Sequence, residues 1–395
     1  MDGVLTHIQM GAREFGDWDK LILSCDDARG MTDEEKERAR QEIGYLRQVL
    51  GEGFLRRAIA KGHPIRWPVI NTTRSTRLWF INVAEALKEL SSESGFRGVF
   101  KKFKEPDKSV EADSVLNAAF RLKRAGFNIT FEPQVTVTQQ NGQRKQKRPD
   151  LRVVDGETGE EVIVEVSILE RSAAHKDAFD ISHFFIPLFN ELEPAKFMVY
   201  VELKEGFDNA HVGEAVRLLR EMADEVERTG EFKTLINERM TAGVAPTGNE
   251  EQLKRWGEGH GISPGITGPP VWSDEISRSR MKIRDKLAQL PEDRPGVIVI
   301  PTTGSMMFHF YDPLLIVGVL QEEVSRYPRL WGVVLLHDYA GGAQGGTVIT
   351  KLGSSTLIDR ARTDVFREQT AVLLNEACAS PVSHATGERL LGAFS

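Results

Sequence analysis

Cysteine is nearly missing from this 395-residue chain, which holds only Cys25 and Cys378. The two stand far apart with no metal-ligand spacing, which argues for free thiols in a reducing compartment and against a disulfide scaffold or a cysteine-based zinc site. Long apolar runs are missing as well. The longest, around Leu314 to Leu320, is the size of a strand or core helix and falls well short of the roughly 20 residues that span a bilayer. The first residues, Met1-Asp2-Gly3-Val4-Leu5, lack a basic segment followed by an apolar one. No secretory signal is expected, and the expected location is cytoplasmic with no membrane partner. Positive charge is in deficit: 51 Lys and Arg against 58 Asp and Glu give a formal charge of −7. That excludes a protein basic all over and leaves room for a local basic patch.

Several familiar signatures are also absent. His63, His183, His211, His309 and His337 show no His-x-x-x-His spacing and read as core or surface histidines. The glycine-rich 341–346 stretch lacks the Gly-Lys-Ser/Thr ending of a phosphate loop and reads as a turn. Ser305 lacks the Gly-x-Ser-x-Gly frame of a nucleophile elbow. No internal repeat stands out.

What is present is ordinary globular composition, 40% hydrophobic and 28% charged, at a length that suits two domains or one large α/β unit. Residues 1–30 have weak periodicity and are expected to be irregular. From Thr32 a capped helix runs toward Gly51, a second piece covers 54–60, and 63–68 reads as an extended connector because of Pro64 and Pro68. Helices over 78–90 and 96–103 complete a helical N-terminal region, 1–105. The periodicity of 110–125 then predicts a helix with Glu111 at the head of a stripe formed by Val115, Ala118, Leu122 and Ala125. Strands are expected over 127–131, 134–140, 197–203, 296–300 and 332–336. Helices are expected over 211–229, 274–290, 314–326 and 363–377, and 241–271 reads as a long loop or insertion. This alternation argues an α/β domain over 106–395 with a mixed central sheet flanked by helices.

One hairpin organises the functional reading. Arg148-Pro149-Asp150-Leu151-Arg152-Val153 and Val162-Ile163-Val164-Glu165-Val166-Ser167-Ile168 flank a Gly-Glu-Thr-Gly turn. Strand alternation puts Ile163, Glu165 and Ser167 on one face and Val162, Val164, Val166 and Ile168 on the other. If the register sets Asp150 across from Glu165, the pair makes a place for a divalent cation. Asn141-Gly142 closes a preceding hairpin, and the basic run Arg144 to Arg148 after it reads as a solvated turn with the potential to touch phosphates.

With Glu111, Pro149-Asp150 and Glu165-Val166-Ser167 in this order, the 110–170 segment resembles the core of the PD-(D/E)XK, or restriction-endonuclease-like, superfamily. The resemblance implies a helix bearing an acid, a strand meander carrying both motifs, then a helix and a strand, with a long insertion around 170–272. It implies metal-dependent hydrolysis of phosphodiester bonds in nucleic acid, DNA foremost. Asp150 and Glu165 would ligate Mg²⁺ or Mn²⁺, Glu111 directly or through water, and the Val166 carbonyl would complete the site. Such a metal polarises a phosphoryl oxygen and lowers the pKa of bound water.

The departure is Ser167, where the superfamily expects lysine. A substitute cation must come from another element. Lys282, Lys286 and Gln289 form a polar stripe on the 274–290 helix, while Lys147 and Lys176 lie nearer in sequence. Lys286 is favoured. The alternative is a catalytically inactive fold of the same kind, binding nucleic acid or serving as a protein scaffold. A small-molecule α/β enzyme built on the C-terminal half ranks last, since no cofactor motif supports it. A homo-oligomer is compatible with any of these.

Overall fold

In the computed structural model the described residues are 16–28, 30–138, 143–170, scattered positions of 172–188, then 197–262, 265–270, 274–302, 313–337, 347–351, 354–358 and 369–394. They form two units, one of residues 1–170 with 275–395 and one of residues 171–274. Among the described residues no helix is long and apolar enough to cross a membrane.

The first unit opens with helices. Of the stretch 1–30 expected to be irregular, 1–15 lie outside the described residues, and Trp18–Leu23 is a helix capped by Asp17; Trp18 and Leu21 bury there and supply the apolar anchor that periodicity missed. Asp33–Leu50 follows, with Thr32 and Glu35 forming a reciprocal capping box. Phe54–Ala60 comes next, and then Arg66–Ile70, where an extended connector was expected. Pro68 sits in the first turn of that short helix, where its missing N–H breaks no bond. Arg74–Leu90, Phe96–Phe103 and Ser109–Arg124 complete the series.

Among the described residues the sheet of this unit has eight strands. In sequence order they are β1 (Phe127–Phe131), β4 (Leu151–Asp155), β5 (Glu161–Val166), β10 (Gly296–Pro301), β11 (Leu330–His337), β12 (Thr347–Lys351), β13 (Ser354–Ile358) and β14 (Gln369–Leu374). Their spatial order is β1-β4-β5-β10-β11-β14-β12-β13. β1, β4 and β5 are antiparallel neighbours, and β10 then lies parallel to β5 with Ile298 beside Glu165. The sheet is therefore mixed. Residues 369–374 lie within the stretch expected to be helical; paired with β11 and β12, with Thr370, Ala371, Val372, Leu373 and Leu374 buried, they are a strand. A short apolar run carries no period that separates the two choices, and tertiary pairing decided it.

Both faces of the sheet are covered, so its central strands are apolar throughout. Val162, Val164, Val166, Val297 and Val299 join the cluster that includes Val115 and Leu116 of the 109–124 helix. Ile163, Ile298 and Ile300 join Ile283 and Leu287 of helix Glu275–Leu287 and Leu320 of helix Pro313–Val324. Helix His384–Ala393 closes the chain and is tied to β4 by Arg389, whose Nη2 lies 2.7 Å from Asp155 Oδ2.

Between β1 and β4 the chain makes a separate two-stranded ribbon, β2 (Val135–Thr138) with β3 (Arg144–Lys147). The second unit has its own sheet, β7 (Lys233–Ile236), β8 (Met240–Pro246), β6 (Phe197–Leu203) and β9 (Gly265–Thr267), with helices Asn209–Thr229 and Glu250–His260. The expected long loop over 241–271 is thus a strand, a helix and a further strand. Its glycines mark the joints, with Gly248 and Gly261 at positive φ on either side of the helix.

Candidate metal centre

Asp150 stands immediately before β4, and Glu165 lies near the end of β5. The ladder pairs Leu151 with Val164, and one more step in that register sets Asp150 opposite Glu165. Directly opposed residues of an antiparallel pair share a face, so the two carboxylates sit together. Asp150 Oδ2 accepts a 2.8 Å hydrogen bond from the N–H of Val166, which fixes one of its oxygens across the strand gap. Val166 therefore meets the site through its backbone, as its position after Glu165 dictates.

Glu165 is on the face of the sheet that the 275–287 helix covers. Ile283 and Leu287 anchor that helix by burial, and Lys286, beside Leu287, is carried over the end of β5. Its Nζ lies 2.9 Å from Glu165 Oε2 and 3.7 Å from Asp150 Oδ2. The other residues of the expected stripe are not brought into this contact. Lys282 is half-buried and Gln289 lies beyond the end of the helix. Lys147 ends β3, and Lys176 is exposed in the second unit.

Burial dominates the electrostatics. Glu165 is only 1% exposed, and neither of its oxygens accepts a well-directed hydrogen bond among the described residues, although the Lys286 ammonium is within ion-pair distance. Burial first, and the neighbouring Asp150 charge second, push the Glu165 carboxyl up to about 8, against the pull of Lys286. Burial also raises Asp150, opposed by Lys286 and by the Val166 N–H. Lys286 loses some affinity for its proton through burial but regains more from Glu165 and Asp150, so its pKa rises. These are the marks of a dense anionic spot with too little positive charge for its burial.

Glu111 is placed differently from expectation. It lies in the first turn of the 109–124 helix and is exposed, because the buried stripe runs through Ala112, Val115, Leu116 and Ala119. That helix covers the opposite face of the sheet from the Lys286 helix. Glu111 still adds to the negative field at Asp150 and Lys286. Ser167 is buried, and its N–H donates to Val299 O in the continuation of the β5–β10 pairing.

Three residues that sequence reasoning did not single out also belong to this neighbourhood. Glu132, at the end of β1, has a positive φ of 47° and donates its N–H to the Asp150 carbonyl at 2.9 Å. Its carboxylate pairs with Lys102, whose charge in turn acts on Asp150. Arg152 shares the Asp150 face of β4 by alternation, and its Nη2 donates to Thr130 Oγ1. The signal available for Glu132 was its place directly across from Asp150, legible only once the strand register is known.

Among the described residues no three side chains of His, Cys, Asp or Glu gather closely enough to enclose a metal by themselves. Two carboxylates with the rest of the shell supplied by water is nevertheless the usual habit of Mg²⁺. The two unsatisfied oxygens of Glu165, beside the Asp150 carboxylate, fit such an ion. His63 is buried and bonded through Nε2 to Phe103 O at 2.9 Å, while Ser305 and the 341–346 glycines lie outside the described residues. Comparison with protein-family models, with curated proteins and with solved structures returned no match.

Proposed function

We propose that the chain is a metal-dependent nuclease-like protein of the restriction-endonuclease-like type, hydrolysing phosphodiester bonds in DNA in a cytoplasmic setting. The observation that carries this reading is the meeting of Asp150, Glu165 and Lys286 at one spot from three elements. The order helix, three antiparallel strands, helix and parallel strand supports it, since the motif residues implied by the resemblance occupy the expected elements.

Asp150 and Glu165 would hold Mg²⁺ or Mn²⁺, with Glu111 reaching it through water. When bound, the ion supplies Lewis acidity toward a phosphoryl oxygen and lowers the pKa of its water. Lys286 takes the place that Ser167 leaves vacant. Its ammonium, already oriented by both carboxylates, holds the attacking water and balances the negative charge that grows on the phosphorane oxygens. Asp150 is in turn oriented by the Val166 N–H, and Glu132 secures the Asp150 backbone from the other side.

The test is cleavage of plasmid DNA with Mg²⁺ or Mn²⁺. Asp150→Ala is expected to abolish it, and cleavage that survives the change removes these residues from the reaction. A catalytically silent relative of the same fold is the second reading, favoured by the exposure of Glu111 and by the Lys286 ion pair, which can serve neutralisation alone. It predicts no cleavage with any divalent ion. Calorimetric metal titration of wild type and Glu165→Gln separates a metal site from a structural ion pair.

A further inference from the structure

The β2–β3 ribbon is the continuation of β1–β4. Phe131 pairs with Leu151 and Val135 with Lys147 in one common register. Between the two ladders that register sets Pro133 across from Pro149, and Glu132 across from Asp150. Neither proline can donate to a ladder, so pairing lapses there, and the last bond before the gap is Glu132 N–H to Asp150 O. The positive φ of Glu132 turns the chain at the same point. The ribbon thus leaves the central sheet at the candidate metal centre itself.

Its inner side is seated by Val135 and Val137, which bury in the cluster shared with Ile163, Ile283 and Leu287. Its other strand is cationic. Arg144, Lys145 and Arg148 are exposed, and Lys147 is half-buried. Several cations of this unit are matched by acids, among them Lys102 with Glu132, Lys123 with Glu93, Lys286 with Glu165, and Arg294 with Glu161. Among the described residues none of the four ribbon cations forms an ion pair. In a chain of net charge −7 this is a concentration of unmatched positive charge leading straight into Asp150.

We infer that the β2–β3 ribbon is a phosphate-backbone arm, which holds a polynucleotide so that one phosphodiester lies over Asp150 and Glu165. The inference deepens the nuclease reading and rests on it for the identity of the polyanion. The reach is suitable: the four residues of β3 span about 13 Å at about 3.3 Å each. That covers roughly four nucleotide steps of one duplex strand at about 3.4 Å per step. Cations on such an arm also offset the repulsion between the site's carboxylates and an incoming phosphate. Lysines on a strand edge can serve only to block edge-to-edge pairing, and that role leaves no salt signature in DNA binding.

The experiment is binding of a DNA duplex of about 20 base pairs by fluorescence anisotropy, in EDTA to prevent turnover, across a salt series. The variant Arg144→Gln/Lys145→Gln/Lys147→Gln/Arg148→Gln is expected to bind more weakly and to lower the slope of log affinity against log salt by roughly 2 to 4. A charge-keeping variant, Arg144→Lys/Arg148→Lys, is expected to retain the wild-type slope, and thermal melts of both variants report folding. An unchanged slope in a folded glutamine variant overturns the arm, as does a wild-type protein that fails to bind the duplex at low salt. Arm-dependent binding without cleavage in Mg²⁺ or Mn²⁺ leaves the arm standing and removes the nuclease reading. Cleavage indifferent to the glutamine variant does the reverse.

Discussion

In the proposed reading Lys286 supplies the cation that the position of Ser167 does not. Ser167 follows Glu165 on the same face of β5 but is buried and too short to bring a cation, whereas Lys286 arrives from a helix anchored by Ile283 and Leu287. Removing the ammonium while keeping the bulk, Lys286→Met, is expected to lower cleavage by about 10² to 10⁴ and to leave metal titration detectable, since the carboxylates remain. Adding Ser167→Lys to that variant is expected to restore part of the loss, measured as initial rate in Mn²⁺. No recovery in a folded double variant argues that the Lys286 position, and not the charge alone, is required.

Two other acids contribute to the stability of the fold against acid. Burial opposes ionisation of Asp155, but the N–H groups of Glu157 and Thr158, with Arg389 and Thr386, hold its carboxyl well below the ordinary range. Arg284 is the main cause that holds Glu323 down to about 2. With folded values below unfolded ones, the unfolded chain binds more protons, so the stabilisation is complete above roughly pH 5 and is lost as the pH falls toward 2. Urea midpoints taken at pH 7, 5 and 3 should drop across the last interval. Arg389→Ala is expected to cost about 2 kcal/mol at pH 7 and to flatten that drop.

At the scale of elements, the approach of β1 to the 96–103 helix is held by a close contact that only glycine permits. Gly95 has φ +83°, and a Cβ there would lie 2.5 Å from the Phe131 carbonyl. Gly95→Ala is expected to destabilise the fold by about 2 kcal/mol or more, read as a shift in denaturant midpoint. Because Phe131 leads into Glu132, the same variant should also weaken metal binding.

The strand elements that carry the candidate site were legible because their signals are local. Gly156 and Gly159 bracket a turn between apolar runs, and β5 reads as a strand from Val162 to Val166 without help. The Thr32 cap and the 96–103 helix were legible for the same reason. Elements that depend on pairing were not. Residues 371–374 are apolar without a period, and only the neighbours β11 and β12 make 369–374 a strand. β8 contains Ala242, Gly243 and Ala245, poor strand formers that allow close packing: a Cβ on Gly243 would lie 2.7 Å from the Trp256 ring. Val115, Ala118 and Leu122 of the expected stripe are buried, but Glu111 at its head is left in solvent while Ala112 beside it is buried.

At the scale of the whole chain, residues 171–274 form a unit with a separate core, in which Val199, Val201, Leu219, Val226 and Val244 are buried together. The first unit resumes at Glu275, the start of the helix that delivers Lys286, and its two chain ends at this junction are tied by Arg278 Nη2 donating to Glu170 O at 2.6 Å. The candidate centre therefore draws every named residue from the first unit alone. A domain with its own core and close ends can be removed without breaking the core of its host. Replacing 171–274 by a short Gly-Ser linker is expected to leave the remaining unit folded with a single cooperative melt, and the full chain should show two calorimetric transitions, one of which disappears. Metal titration is the sharper measurement, because Asp150, Glu165 and Lys286 all remain. If the shortened protein folds but no longer binds Mn²⁺ where the full chain does, the second unit contributes to the centre in a way that the first unit's own packing does not supply.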